Sequence, residues 1–199
     1  TVDPLGRPIK ASYFYSENAA YIELAAASGL VRLKKEERNP MYTSTYGTGL
    51  LIKDALEMGL TNIYLFLGGS STNDGGIGIA TALGYQFLDG TGRKLEPVGG
   101  NLQTIESVEV GDNEVTFEKF TICCDVTNPP FGPRGAAHVY GKQKGANPSE
   151  IEILDQGIKN LCHLLNDYVS DDISKLSGGG AAGGTALSPT VFFGGKIIS

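Results

Sequence analysis

Two short apolar runs, each stopping at a polar loop, set the frame of the chain. Ile63 to Leu67 reads as a buried strand that ends at Gly68-Gly69, and Phe120 to Cys124 as another that ends at Asp125. After the first run come five polar residues, Ser70 to Asp74, and then Gly75-Gly76. Ile77, Ile79, Ala80 and Leu83 resume at helical spacing, with Gly84 as a stop. The order strand, glycine-bracketed polar loop, helix predicts bare N–H groups gathered at a helix N-terminus, where aligned peptide dipoles favour an anion. The plainer reading is a strand-to-helix connection with capping residues, but such connections are usually only a few residues long and need one cap.

The same patterning places the other elements. Ile9 to Tyr15 and Ala20 to Leu24 read as a hairpin around Ser16-Glu17-Asn18, and Ala25 to Ser28 as a helical turn stopped by Gly29. Residues 34–41 read as a charged, solvated loop. Leu51, Ile52, Ala55, Leu56 and Met58 form an apolar helical stripe behind the second glycine and hydroxyl cluster, Thr43 to Gly49, with Gly59 as its stop. Thr45 and Thr48 are open between capping and ligand contact. Tyr85 to Leu88 reads as a strand, followed by a turn at Asp89 to Gly92 and a Gly99-Gly100 loop.

The clearest helix begins at Asn147, an N-cap with Pro148 in the first turn and Glu150 closing a capping box. Ile151, Leu154, Ile158, Leu161, Leu165 and Tyr168 recur along it at steps of three and four, and His163 falls on the solvated side. Ser177 to Thr185 is a third cluster of small residues, suited to close packing or to backbone passing near a ligand. Phe192 to Ser199 reads as an apolar tail.

Composition narrows the class. The 199 residues are 41% hydrophobic and 19% charged, an ordinary globular balance. A net charge of −6 argues against a nucleic-acid partner, which needs a basic face. No run approaches the roughly 18 apolar residues of a membrane span, and the turn-rich opening Thr1 to Pro8 does not read as a leader. The 28 glycines are clustered, not periodic, which suits tight turns and close approach of backbone to a ligand. Cys123, Cys124 and Cys162 make no disulfide framework, and no zinc-like spacing with histidine occurs, so a reduced, cytoplasmic setting is expected.

The candidate chemistry sits in the loops. Ser70, Ser71, Thr72 and Asn73 offer neutral donors, and Asp74 offers one carboxylate able to hold a metal or take a proton. Asp125 either caps a turn or lies where open α/β sheets carry their chemistry, at the carboxyl end of a strand. Arg134, between Pro133 and Gly135, has a planar fork suited to a carboxylate or phosphate, or to a surface ion pair. Lys142 and Lys144 lie between glycines, in a solvated loop or at a phosphate contact.

Gly68-Gly69-Ser70-Ser71-Thr72-Asn73-Asp74-Gly75-Gly76 resembles the signature loop of the bacterial type 1 glycerate kinases. So do Pro4 to Pro8, Thr43 to Gly49, Cys124 to Pro129, Gly132 to Ala137, Gln143 to Ala146 and Gly180 to Gly184, in the same order along the whole chain. The resemblance implies a cytoplasmic enzyme that moves the γ-phosphoryl of ATP, with Mg²⁺, onto a hydroxyl of D-glycerate. On that reading Asp74 and Asp125 compete for the roles of base and metal ligand, and Arg134 and Lys144 neutralise the glycerate carboxylate or the phosphates. Gly68, Gly69, Ser70, Ser71, Thr72, Asn73 and Asn128 contact the substrate. Full-length relatives carry an Asp-Gly-Gly-Glu-Gly-Thr type motif before this stretch and a Rossmann-like portion after it. Residues 1–199 are therefore expected to be one α/β domain, a mixed sheet with flanking helices, inserted into a Rossmann-like domain. No Gly-x-x-x-x-Gly-Lys-Ser/Thr loop is present, and the 199 residues alone are expected to fold, bind glycerate weakly and show no turnover. The alternatives are a hydroxy-acid-binding module without catalysis and a kinase for a related hydroxy acid.

Overall fold

The computed structural model describes residues 1–111 and 115–198. A five-stranded sheet forms its centre, built from β1 (Phe14–Tyr15), β2 (Ala19–Glu23), β3 (Asn62–Phe66), β6 (Lys119–Cys123) and β7 (Lys196–Ile198), side by side in that order. β1 runs antiparallel to β2, and the remaining neighbours are parallel. A separate ribbon pairs β4 (Tyr85–Leu88) with β5 (Ser107–Val110) antiparallel. The α/β class and the mixed sheet agree with the sequence reading.

Alternation along the strands sets the core face. Ala20 and Ile22 on β2, Ile63 and Leu65 on β3, and Phe120 and Ile122 on β6 are all buried in one cluster. They share it with Leu51, Ile52 and Ala55 of α2 (Tyr46–Glu57), Ile77 and Ile79 of α3 (Ile77–Ala82), and Leu187 and Phe193 of α6 (Leu187–Phe193). The register that pairs Ile63 with Phe120 and Leu65 with Ile122 keeps these apolar positions on one side. A one-residue slip would turn all of them outward. Gly49 allows α2 and α3 to lie in close contact: a Cβ there would stand 2.6 Å from the Ala82 Cβ.

α5 (Pro148–Leu165) carries the expected capping box: the Asn147 side chain accepts from the Glu150 N–H at 3.0 Å, and Glu150 accepts from the Asn147 N–H at 2.8 Å. Leu154, Ile158, Leu161 and Leu165 are buried, but Tyr168 is not part of that stripe. The helix ends at Leu165, and Tyr168 sits in a following 3-10 turn, 46% exposed, with its ring edge-on to Phe192. The short α1 (Ala25–Ser28) stops at Gly29 as expected, and α4 (Ala136–Tyr140) follows the loop after β6.

The hairpin near the start forms, but its first strand is only Phe14–Tyr15. The expected apolar tail is a further correction: Phe192 and Phe193 end a helix, and Lys196–Ile198 is the edge strand paired with β6. Ser199 lies outside the described residues. The Gly99-Gly100 loop opens a 3-10 stretch, Gly99–Thr104. Among the described residues, no helix is long and apolar enough to cross a membrane.

Candidate active site

Just past β3 and β6 the Leu67 N–H donates to the Cys123 carbonyl at 3.2 Å. Beyond that rung lies a cleft of about 550 Å³ at the carboxyl ends of parallel strands, the position where such sheets place their ligands. Leu67, Gly68, Gly69 and Ser70 form one wall, Cys123, Cys124, Asp125 and Val126 another, and Tyr140, Gln143, Lys144 and Ala182 close it. The loop from β3 is pinned from behind, with Leu30 N–H donating to the Gly69 carbonyl at 2.9 Å and Ser71 N–H to the Ser28 carbonyl at 3.0 Å. Gly68 and Gly69 form the middle of a tight turn after Leu67, and among the described residues their own N–H groups make no backbone hydrogen bond. Gly69 has φ +73°, a left-handed turn of the kind that gathers successive N–H groups into an anion-binding concavity.

Lys144 supplies the cation. Its side chain is only 2% exposed, and its Nζ donates to Ser70 Oγ at 2.8 Å and to the Thr72 carbonyl at 2.6 Å. Among the described residues it has no ion-pair partner within 4.0 Å. Burial pulls its pKa down to about 7, with the nearby Asp74 charge working in the opposite direction.

Asp74 lies behind the loop instead of on the cleft wall. It is fully buried and accepts four hydrogen bonds: from Thr45 N–H at 2.7 Å, Thr45 Oγ1 at 2.8 Å, and Gly76 and Gly78 N–H at 3.3 Å each. The last two belong to the start of α3, so the carboxylate caps that helix from inside the protein. Burial pushes the carboxyl above its usual range, against the four donors. Thr45 Oγ1 in turn accepts from the Ile79 N–H at 3.1 Å.

The third small-residue cluster packs against the signature loop. Gly75 N–H donates to the Gly183 carbonyl at 3.1 Å, and a Cβ at Gly183 would stand 2.0 Å from the Thr72 carbonyl oxygen. Only a glycine, at φ +75°, permits that approach. Ala182, on the cleft wall, is the one non-glycine residue at positive φ among the described residues, with φ 51° and ψ 35°. Strain of this kind concentrates at ligand sites.

Comparison with known proteins supplies the relationship. The glycerate kinase family model matches residues 1–199. The chain belongs to that family. It is 45% identical over 185 residues to a glycerate kinase of Bacillus cereus, covering 91% of this chain and 49% of that protein. It is 38% identical over 200 residues to the glycerate 2-kinase of Escherichia coli, covering 98% of this chain and 52% of that one. The crystal structure of a Salmonella typhimurium LT2 protein described as glycerate kinase 2 superposes with a TM-score of 0.94 at 39% identity, over 99% of this chain and 54% of that chain. The chain spans about half the length of the relatives it matches.

The structure brings part of the expected residue set together. Gly68, Gly69, Ser70, Asp125 and Lys144 line one cleft. Ser71, Thr72, Asn73 and Asp74 lie beneath it, each no more than 1% exposed. Among them Thr72 Oγ1 and both amide atoms of Asn73 have no hydrogen-bond partner. Asn128 holds the loop after β6, donating to the Arg134 carbonyl at 2.9 Å and accepting from Tyr140 Oη at 2.8 Å. Arg134 is exposed and does not line the cleft. The Thr43 to Gly49 cluster does not reach this cleft; Ser44 Oγ accepts from the first N–H of α2, Tyr46, at 3.1 Å, while the Thr45 side chain does not cap α2, and the other hydroxyls brace the loop. Thr43 Oγ1 donates to the Ser71 carbonyl at 2.9 Å, and Thr48 Oγ1 lies 2.7 Å from Ser28 Oγ. Sequence reasoning passed over Tyr140, Gln143 and Ala182 as site residues; the left-handed backbone of Ala182 leaves no mark in residue type.

Proposed function

We propose that this chain carries the substrate cleft of a glycerate kinase, an enzyme that transfers the γ-phosphoryl of ATP to a hydroxyl of D-glycerate. One observation carries the reading: a buried lysine, without an ion-pair partner among the described residues, lines one cleft with the Gly68-Gly69 turn at the carboxyl ends of parallel strands. That donor set suits a phosphoryl or carboxylate group, and membership of the glycerate kinase family supports the choice.

In this reading the N–H groups of Gly68, Gly69 and Ser70 hold and orient the anion, and Lys144 neutralises it. Asp125 is the exposed carboxylate on the cleft wall. It takes the proton of the attacking hydroxyl, a role that first needs geometric access to that hydroxyl. Asp74, enclosed by its four donors, holds the loop in shape. Arg134 lies outside the cleft, on a loop whose conformation Asn128 fixes, and is proposed to meet a phosphate of the nucleotide.

ATP and Mg²⁺ fit these residues in a limited way. Among the described residues, no group of three or more His, Cys, Asp or Glu side chains could cage a metal. One carboxylate beside a phosphate site is nonetheless a common Mg²⁺ arrangement, with phosphate oxygens and water completing the octahedron. Asp125 would be that ligand, in place of its role as base. When bound, the metal screens the charge of the transferring phosphoryl group. We further propose that residues 1–199 form one domain that binds the substrate anion without turnover, and that catalysis draws on residues from the other half of a protein of the relatives' length.

Exchanging this stretch for the matching half of the Bacillus cereus glycerate kinase gives the test. The chimera should form phosphoglycerate from ATP, Mg²⁺ and D-glycerate, and Asp125→Asn should slow kcat by roughly 10²-fold or more. A folded chimera that binds D-glycerate and never turns over would favour the hydroxy-acid-binding module. A folded chimera that prefers another hydroxy acid would move the substrate assignment.

A further inference from the structure

We propose that anion binding in this cleft is coupled to proton uptake by Lys144: the side chain is a neutral amine without ligand and becomes an ammonium when a phosphoryl or carboxylate group enters beside Gly68 to Ser70. The inference deepens the reading of the cleft as a substrate site and rests on it.

The geometry is unusual for a lysine. Buried ammonium groups are normally paired with a carboxylate. Lys144 instead donates to a neutral hydroxyl and a neutral carbonyl, Ser70 Oγ and Thr72 O. A neutral amine satisfies both contacts with its two hydrogens, whereas an ammonium has a third hydrogen and a full charge left over. Both contacts lie in the loop that lines the cleft together with Lys144, so an anion held against that loop lies beside the amine. The anion then supplies the counter-charge that the protein does not.

Among the described residues, no other charged or titratable group facing the amine supplies the missing charge. Asp74, from behind the loop, acts on Lys144 through its charge alone, and burial works against its own ionisation. Asp125, Cys123 and Cys124 come from the end of β6, and burial raises both thiols, which keeps them neutral. Tyr140 on α4 is likewise held protonated, its pKa raised by burial. On the lysine's own turn, Lys142 is exposed and adds only a screened positive charge. From the segment after Leu30, Arg38 directs its guanidinium at the Leu30 carbonyl at 3.5 Å. Of these groups Asp125 alone is a carboxylate on the cleft wall, and it is exposed to water, where its effect is screened. The downward pull of burial on Lys144, to about 7, agrees with the geometry.

The coupling has a kinetic meaning. An amine poised near neutrality gains a full positive charge when substrate arrives, and the proton then fixes that charge where phosphoryl transfer develops its own. Binding should therefore weaken as pH rises above neutrality, although phosphate and glycerate themselves stay anionic.

The experiment follows the lysine side chains by NMR in the 199-residue protein labelled with ¹³C-lysine, with inorganic phosphate as one probe and D-glycerate as the other. Without ligand, one lysine Cε signal should titrate near pH 7, and it should be absent from Lys144→Met. Saturating phosphate or D-glycerate should move that midpoint up by a unit or more; the arm that moves it further identifies the phosphoryl or the carboxylate as the group Lys144 meets. All lysine signals titrating above about pH 9, or a midpoint near 7 that neither probe moves at 100 mM, overturns the proposal. The wild-type titration decides even if Lys144→Met fails to fold. A chimera that turns over while the midpoint stays fixed defeats the coupling and leaves the kinase reading standing; a moving midpoint without turnover does the reverse.

Discussion

Thr45 gives Asp74 two hydrogen bonds, one from its backbone N–H at 2.7 Å and one from its hydroxyl at 2.8 Å. The two residues are 29 positions apart, and the pair ties the start of α2 to the start of α3. The same hydroxyl accepts from Ile79 N–H, so a single oxygen serves both a buried carboxylate and a helix terminus.

Thr45→Val keeps the shape and removes both services. It leaves a buried carboxylate one donor short and a buried N–H without its acceptor, a loss of about 2–3 kcal/mol. Urea unfolding should show the lower midpoint with an unchanged m value. Wild-type stability in the variant would mean that Asp74 does not depend on this bond.

Lys144 should leave a pH signature on stability. Its folded pKa, about 7, lies below its ordinary 10.5, so between those values the unfolded chain holds a proton that the folded chain does not. Stability therefore rises with pH across that window, with a slope approaching about 1.4 kcal/mol per unit, and the contribution is lost as pH falls towards 7. Denaturation midpoints of wild type and Lys144→Met, compared at pH 7 and pH 9.5, should converge or cross with rising pH in favour of wild type. A constant difference would place the lysine charge in water.

The backbone of the third small-residue cluster makes opposite predictions for neighbouring residues. Ala182→Gly removes a Cβ from a left-handed conformation and should stabilise the protein by about 1 kcal/mol or less, the relief of strain being partly offset by the greater freedom of glycine in the unfolded chain. Gly183→Ala puts a Cβ 2.0 Å from the Thr72 carbonyl oxygen and should destabilise it by several kcal/mol or prevent folding. Thermal unfolding of the two variants checks both signs.

Local chemistry was the part of this protein that the sequence expressed most clearly. Asn147, Pro148 and Glu150 act within four consecutive residues, and the cap they announce is the cap that forms. The apolar runs of β3 and β6 were readable for the same reason. What could not be read depends on partners distant in sequence. Lys142 and Lys144 look alike between their glycines, but only Lys144 is buried, because its turn folds onto Ser70 and Thr72, more than 70 positions away. Asp74 has the residue type and setting of a catalytic acid, yet Thr45 encloses it from another helix. The last strand was hidden because Lys196–Ile198 is only three residues long and has its meaning beside β6.

We place the substrate anion at Gly68 to Ser70 and not in the larger cavity, about 780 Å³, between the start of the chain and β4, lined by Tyr42, Tyr46, Gln86 and Lys94. Amide NMR of the 199-residue protein titrated with D-glycerate, and separately with inorganic phosphate, tests this most directly. The amide signals of Gly68, Gly69 and Ser70 should shift most, with Ala182 and Asp125 following and Gln86 and Lys94 unmoved. Shifts that gather at Tyr42, Gln86 and Lys94 while Gly68 to Ser70 stay in place would contradict the account.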